Sequence, residues 1–442
     1  MTNRQYPFPD TIFALSSGAL PSGVAVVRLS GSHVRAVVEA VTGRLPPARQ
    51  AVLSSLRGED GGPIDRGLVL FFPAPASFSG EDCAEFHLHG GRAVVAAFLR
   101  RLDAVPGLRQ AEAGEFTRRA FLNGKIDLTG AEGLADLIAA ETEAQRRMAL
   151  DSAEGGQRAL YSGWRQRLLH ARAMIEAELD FADEADVTGS VSGQVWEDLG
   201  KLGAEIERHL NDSHIAEIVR EGFRVVLVGA PNAGKSSLLN ALARREVAIV
   251  TDIAGTTRDL VEINLDLQGM KVVVTDTAGL RASEDKVERI GIERAIAAAG
   301  RADLILELTD LTAPVDDSLD RGWTRSVLRI ATKSDLLATE TAGFDHRIST
   351  VTGEGLSGLV EAIAGHAKAA TATGGRTIPT RLRQIELLRT TRLHMETALD
   401  LPDLELKAEH LRLASDALGK ITGAVDVEEL LGVIFSEFCI GK

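Results

Sequence analysis

Three groups of residues in this 442-residue chain have the types and spacing for nucleotide chemistry. Residues 229 to 237 read Gly-Ala-Pro-Asn-Ala-Gly-Lys-Ser-Ser, which fits GxxxxGK[ST]. Gly229 and Gly234 let backbone N–H groups close on phosphate oxygens, Lys235 reaches the β- and γ-phosphates, and the Ser236 hydroxyl can ligate Mg²⁺. Farther along comes Asp276-Thr277-Ala278-Gly279. Its carboxylate suits Mg²⁺ through a water, and Gly279 can offer a backbone N–H to the γ-phosphate. Thr332-Lys333-Ser334-Asp335 follows. A carboxylate at Asp335 accepts from both N1–H and the exocyclic amine of guanine, donors that adenine does not present in that arrangement. Sites built on such bonds discriminate by ~10⁴ or more. In this order the groups are those of a guanine-nucleotide hydrolase, with GTP and Mg²⁺ as implied ligands. Thr332 stands where Asn is common, and Ser349-Thr350-Val351 where Ser-Ala-Lys is usual. Guanine affinity is therefore expected to be modest, while the selectivity resting on Asp335 is kept.

Such residues need particular elements beneath them. The apolar run Phe223 to Val228 precedes the first motif and the helical pattern Ser236 to Leu242 follows it, the strand-loop-helix context of a phosphate loop. Met270 to Thr275 reads as a second buried strand that ends at Asp276. Upstream, Val24 to Leu29, Leu68 to Phe72 and Ala84 to Leu88 are strand-like, and the helical run Arg92 to Leu99 follows, so residues 1–123 are read as an α+β domain. From 124 to 216 the period is helical, with Trp196, Leu199, Leu202, Ile206 and Leu210 spaced by three and four. The nucleotide domain, 217–376, ends near the small-residue linker Thr371 to Arg376. Helical spacing returns over 377–442 through Leu382, Ile385, Leu388, Leu430, Leu431, Ile434 and Phe435. The economical reading is a multidomain α/β and α protein in which a P-loop domain is inserted into one helical domain.

Composition narrows the class further. Hydrophobic residues at 45% and charged residues at 25% exclude collagenous or disordered chains. Two cysteines, Cys83 and Cys439, argue against a disulfide framework and fit a reducing cytosol. The N-terminus has no apolar stretch of signal-peptide length, and no segment has the ~18 apolar residues of a membrane span, so a cytoplasmic location is expected. A net charge of −14 repels a polyanion over most of the surface. Any RNA contact must then use a local basic patch or a second protein. Arg376, Arg381, Arg383, Arg389 and Arg392 form one basic run, which a solvated helix face explains more plainly.

Other residues carry alternatives. Thr251 to Asp259 has the Thr and Gly content of a switch loop, one of whose threonines should ligate Mg²⁺. Ras-like enzymes place Gln after Asp-x-x-Gly to position the attacking water, but here that residue is Leu280. Glu288 can supply a carboxylate instead, as can Glu284 and Asp285; for each, an exposed acid at a helix start is the plainer reading. Asn232 either makes a local side-chain turn or gives its carbonyl oxygen to a monovalent cation beside the phosphates. His87 and His89 would share one strand face, with no third metal ligand evident nearby. The tail Cys439-Ile-Gly-Lys442 is not a prenylation box; it either frays or is held in a defined place by the apolar run before it.

Over its whole length the chain resembles the bacterial tRNA-modification GTPases of the MnmE (TrmE) family. The stretches that carry this are Gly23 to Gly31, Ala113 to Lys125, Gly229 to Asn240, Ile249 to Asp259, Asp276 to Arg281, Val287 to Arg294 and Phe438 to Lys442. The resemblance implies an N-terminal folate-binding domain that also forms a homodimer, a helical domain split around the GTPase, and G domains that meet in a potassium-dependent manner. It implies an FAD-containing MnmG (GidA)-like partner, through which tRNA is mainly reached. The product would be an aminomethyl or carboxymethylaminomethyl group at C5 of the wobble uridine. Asn232, Thr251, Ile253 and Thr256 match the potassium site, Ser236 and Thr257 the Mg²⁺ ligands, and Glu288 the residue that positions water. The nucleotide-binding set becomes Asn232, Ala233, Gly234, Lys235, Ser236 and Ser237, then Thr251, Asp252, Ile253, Ala254, Gly255, Thr256 and Thr257. It continues with Asp276, Thr277, Ala278, Gly279, Thr332, Lys333, Asp335 and Ser349. Arg28, Glu85, Lys125 and Lys442 fall where the family binds 5,10-methylenetetrahydrofolate or 5-formyltetrahydrofolate. Cys439 is the family's tail cysteine, counted with Lys235 and Glu288 as catalytic. His87 stands for a more usual Gln, and Ser16 to Gly23 departs from the usual Thr-Pro-rich loop. Two rival classes share some features: a ribosome-assembly GTPase switch, and a folate-dependent one-carbon transferase with a regulatory GTPase.

Overall fold

The computed structural model describes residues 8–180, 191–245, 261–276, 300–312, 325–337, 343–372 and 375–425, with Leu431, Ile434, Phe435, Phe438 and Gly441. They divide into two compact units, one of residues 1–135, 152–165 and 415–442, the other of residues 136–151 and 166–414.

The first unit holds β1 (Thr11–Leu15), β2 (Ser22–Ser30), α1 (Val34–Thr42), β3 (Val52–Arg57), β4 (Pro63–Phe72), β5 (Cys83–Gly90), α2 (Arg92–Asp103), β6 (Leu108–Gln110) and α3 (Glu115–Leu122), followed by the start of α4 (Leu128–Ala139). The sheet runs β3-β4-β5-β2-β1-β6, antiparallel except where β6 joins β1. This is the expected α+β architecture. Successive strand residues face opposite sides. Ala25, Val27 and Leu29 of β2 and Phe86 and Leu88 of β5 therefore enter the core with Val38 of α1 and Phe98 of α2. The same alternation sends Arg28 and Glu85, partners in the β2–β5 register, to the other face.

A smaller core joins Leu128 and Ala131 to Leu431, Phe435 and Phe438. It forces a glycine at 114, where φ is 66° and a Cβ would lie 2.5 Å from the Phe435 carbonyl. Beyond it the Gly441 carbonyl accepts a 2.7 Å bond from Ser16 Oγ. Gly441 is thus held by this bond, while Cys439 and Lys442 lie outside the described residues.

The second unit begins with α5 (Glu143–Ala153) and continues through part of α6 (Gly156–Asp180), α7 (Val191–Asn211) and α8 (Ser213–Glu221). Then come β7 (Phe223–Gly229), α9 (Lys235–Ala243), β8 (Val261–Leu267), β9 (Met270–Asp276), β10 (Leu304–Asp310), β11 (Ser326–Thr332), β12 (His346–Arg347) and α10 (Leu356–Ala370). The sheet order is β12-β11-β10-β7-β9-β8, parallel apart from the β8–β9 hairpin. A parallel strand covered on both faces reads as a continuous apolar run. In β7, Val225 and Leu227 pack with Leu238, Leu242 and Ile363 on one side, while Val226 and Val228 pack with Ala302 and Ile305 on the other.

Helices α11 (Leu382–Asp400) and α12 (Leu404–Thr422) complete the described chain. α7 packs on α11, so the helical stretches before and after the nucleotide sheet meet. On α7 the expected stripe is buried at Leu199, Leu202 and Ile206. On α11 the expectation is only partly met: Leu388 is buried, but Leu382 is 65% exposed and Gln384 is buried instead. Gln384 tolerates this because its Oε1 accepts from the Thr380 N–H at 2.9 Å. Three arginines of the basic run are ion-paired, Arg376 to Asp212, Arg381 to Asp136 and Arg392 to Glu207. No described helix is long and apolar enough to cross a membrane.

Candidate functional site

The C-terminal ends of β7, β9, β10 and β11 bring most of the described sequence motifs to one edge of the parallel sheet, where open α/β sheets bind ligands. β7 ends at Gly229, whose φ of 150° and whose approach to Leu308 exclude a side chain: a Cβ would lie 2.4 Å from the Leu308 carbonyl. Asn232 and Gly234 are both left-handed, with φ of 65° and 93°. Such alternation turns successive N–H groups inward, into an anion-binding nest ahead of the α9 N-terminus. Lys235 is 7% exposed, and its Nζ donates to the Gly229 and Ala230 carbonyls at 2.8 and 2.9 Å. Burial pulls its pKa below the usual lysine value, against the opposing charge of Asp276.

Ser236 Oγ donates to Asp276 Oδ2 at 2.7 Å, joining two motifs that lie 40 residues apart in sequence. Ser237 follows in the first turn of α9 and is exposed. Ala233 is buried, and its carbonyl accepts from Thr332 Oγ1 at 2.9 Å. The same hydroxyl lies 3.2 Å from the Thr309 carbonyl. Lys333 is left-handed and its Nζ pairs with Asp310. Burial works against the Asp310 charge, but hydrogen bonds from Lys333 and Thr312 hold its carboxyl below the usual range. Asp335 is exposed at the edge of this segment. Ser349 is fully buried, its Oγ accepting from the Val351 and Thr352 N–H groups. Thr251, Asp252, Ile253, Ala254, Gly255, Thr256, Thr257, Thr277, Ala278, Gly279 and Glu288 lie outside the described residues, as do Leu280, Glu284 and Asp285.

The first unit brings a second set together. Arg28 donates through Nη2 and Nε to Glu85 Oε1 at 2.9 and 3.1 Å, and its guanidinium lies 5.7 Å from the Phe78 ring centroid. Lys125 is exposed, but its stem lies over Gly80, two residues from Phe78; a Cβ there would sit 3.2 Å from Lys125 Cγ. The loop through 78–80 therefore carries both ends of the set. Cys439 and Lys442 lie outside the described residues. His87 and His89 do share a face of β5, but each meets its own carboxylate, Glu85 at 3.4 Å and Asp65 at 2.8 Å. Among the described residues no group of three or more His, Cys, Asp or Glu is arranged to hold a metal.

Sequence reasoning did not single out the ionic core beside this set. Arg119 is completely buried and bonded to Asp10, Glu81 and Glu115. Burial raises the Glu81 pKa against hydrogen bonds from Ser30 and Arg119. For Glu115 burial works the same way, yet bonds from Arg109, the Glu112 backbone and Arg119 leave its pKa lowered. The i,i+4 spacing of Glu115 and Arg119 was the one local signal available.

Comparison with known proteins identifies the family. The model of the TrmE N-terminus, described as that of a GTP-binding protein, matches residues 11–125, and the model of the MnmE helical domain matches residues 128–439. The chain is similar to the tRNA modification GTPase MnmE of Brucella ovis, 59% identical over 438 residues that cover 98% of this chain and 99% of that protein. It is equally similar to that of Brucella anthropi, 59% over 436 residues and 98% of each. The G domain of the T. maritima FeoB iron transporter, 28% identical, covers 33% of this chain and 98% of its own length at a TM-score of 0.26, too low to carry an argument. With both family models and full-length relatives in agreement, the chain belongs to the MnmE (TrmE) family of tRNA modification GTPases.

Proposed function

We propose that this tRNA modification GTPase acts in the cytoplasm as a homodimer on the wobble uridine of tRNA, where it installs an aminomethyl or carboxymethylaminomethyl group at C5. It does so with an FAD-containing MnmG (GidA)-like protein, a tetrahydrofolate one-carbon unit and potassium-dependent GTP hydrolysis. The observation that carries the hydrolytic part is the meeting of Ser236 with Asp276 beside the buried Lys235. The Ser236 hydroxyl is a hard oxygen donor that suits Mg²⁺, with Thr257 as the further ligand and the Asp276 carboxylate acting through a bound water. Asp335 reads guanine, and Thr332 and Ser349 support its segment. Glu288 positions the attacking water in place of a side chain at Leu280.

The folate reading is supported by Arg28, Glu85 and Lys125, whose carboxylate and cations match a molecule with both ring N–H donors and carboxylates of its own. Lys442 completes that set, and Cys439, the tail cysteine beside it in sequence, is counted as catalytic. Folate would supply the one-carbon unit. The division into an N-terminal domain of 1–123, a helical domain of 124–216 with 377–442, and a G domain of 217–376 belongs to the same reading.

Asn232 stands in the phosphate loop with a left-handed backbone and an exposed side chain, which supports a carbonyl ligand for K⁺ together with Thr251, Ile253 and Thr256. A cation there would offset developing phosphate charge. Phosphate release is expected to be faster in KCl than in NaCl at matched ionic strength, and Asn232→Ala is expected to remove the difference. Equal rates in the two salts would sink the potassium assignment. Mass analysis of tRNA nucleosides from a strain lacking the gene tests the modification: an unchanged wobble uridine would return the two rival classes to consideration.

A further inference from the structure

The strands that meet the phosphate site run back to a helix at the opposite end of the sheet. β8 begins opposite Asp276, with Val261 paired to it, and β9 ends there. The ladder between them continues without a register shift to Leu267 and Met270. The hairpin turns at Gln268 and Gly269, with φ of 55° and 85°, a two-residue turn whose twist matches that of its strands. At about 3.3 Å per residue, β9 carries this turn roughly 20 Å from Asp276.

The turn is docked on the start of α5. The Gly269 carbonyl accepts from the Ala144 N–H at 3.0 Å. That N–H belongs to the first turn of α5, where no acceptor exists within the helix. Lys271 Nζ pairs with Glu141 Oε2 at 2.8 Å, the two side chains being 17% and 28% exposed. A Cβ at Gly269 would lie 3.2 Å from the Glu143 Cβ, so turn and helix are in contact. On its other side Lys368 of α10 donates to Gln268.

The same helix start is tied to the root of β7. Gln145 Oε1 accepts from the Glu141 and Thr142 N–H groups, and its Nε2 donates to the Arg220 carbonyl at 2.9 Å. Arg220 lies just before Phe223, where β7 sets out toward the phosphate loop. Ala144 and Met148 also pack against the core of this sheet. α5 is therefore tied to the helix that precedes the strand leading to the phosphate loop, and to the hairpin that ends at Asp276.

We propose that the β8–β9 hairpin is a rod that reports the nucleotide state at Asp276 to α5, with the Gln145–Arg220 tie as its fixed reference. This rests on the GTPase reading above. A displacement of Asp276 between GTP- and GDP-bound forms would pass along this unbroken ladder, because packed elements switch between discrete arrangements. At the turn it strains or releases the bond from the Ala144 N–H.

Hydrogen exchange of the full chain over residues 141–146, with GDP and then a non-hydrolysable GTP analogue in KCl, tests this. The expected result is a severalfold difference in protection between the two forms. That difference should be lost in Lys271→Ala and in Glu141→Ala, and the double variant should be no worse than either single one. Basal GTP turnover should stay at the unaltered rate in all three, which shows the variants to be folded. Equal protection in both nucleotide states, or a difference that survives both variants, overturns the proposal while turnover upholds the GTPase reading. Loss of turnover and of analogue binding in the unaltered chain would overturn that reading itself.

Discussion

Thr332 is a short side chain at a position where asparagine is common. Its one hydroxyl proton is shared by the carbonyls of Ala233, in the phosphate loop, and Thr309, at the end of β10. The segment that carries Asp335 is thereby fastened to the loop before α9, and at 3% exposure no water can replace the bond easily. Leaving a buried acceptor unsatisfied costs about 1–3 kcal/mol. Thr332→Val, which keeps the shape and removes the hydroxyl, is therefore expected to raise KM for GTP by roughly tenfold with kcat little changed, and Thr332→Ser to restore it. Steady-state phosphate release at varied GTP checks this. A fall in kcat with KM unchanged would move Thr332 from nucleotide positioning to the chemical step. The sequence marked Thr332 as a departure, but only the fold shows what its hydroxyl holds.

At the scale of the element, α7 has a pH-sensitive place in its own packing. His209 is buried beside the stripe of Leu199, Leu202 and Ile206, and burial pulls its pKa from 6.5 down to about 4, although Asp212 and a backbone bond with Thr377 oppose the shift. The folded state thus favours the neutral ring. Its contribution is full above the unfolded pKa near 6.5 and is lost as pH falls toward 4, because the unfolded chain then takes up the proton. The loss amounts to about 2 kcal/mol between pH 7 and pH 5. Urea unfolding at the two pH values is expected to show a shallower acid loss in His209→Gln than in the unaltered chain. Parallel pH profiles for the two proteins would mean that His209 does not titrate in this range.

At the scale of the molecule, the two candidate sites are built on separate cores. Arg28 and Glu85 stand on the sheet packed around Phe86 and Phe98, whereas Asp276 ends a strand of the sheet packed around Val225 and Val274, and Lys235 opens the helix packed on it. Hydrogen bonds to charged groups contribute about 1.5–3 kcal/mol, so losing one bond from the Arg28 guanidinium to folate should cost tenfold or more in affinity. Arg28→Ala is accordingly expected to weaken binding of 5-formyltetrahydrofolate by that factor, measured by calorimetry, and to leave basal GTP turnover unchanged. If turnover falls in step with folate affinity, the two sites are not independent in the way their cores suggest.

The phosphate loop, the strand ending at Asp276 and the placement of Asp335 were legible in the sequence because they depend on local order. An apolar run, glycines at set positions and a helical start specify strand, turn and helix within about twenty residues. The alternation in β2 and β5 likewise shows that Arg28 and Glu85 leave the core side of their strands. Periodicity gives a face but not the partner on that face. The 57-residue separation of Arg28 and Glu85, and the 99-residue separation of Thr332 and Ala233, are closed only by strand order and sheet packing. Burial of a polar group depends on the partner in the same way. Arg119 is buried because Asp10 and Glu81 come to it from distant segments, and Gln384 displaces the expected Leu382 because the Thr380 N–H lies within reach. Hydrophobic pattern is written along the chain, and a short-range partner such as Thr380 for Gln384 lies there too, whereas the distant partners of Arg119 are brought to it only by tertiary structure.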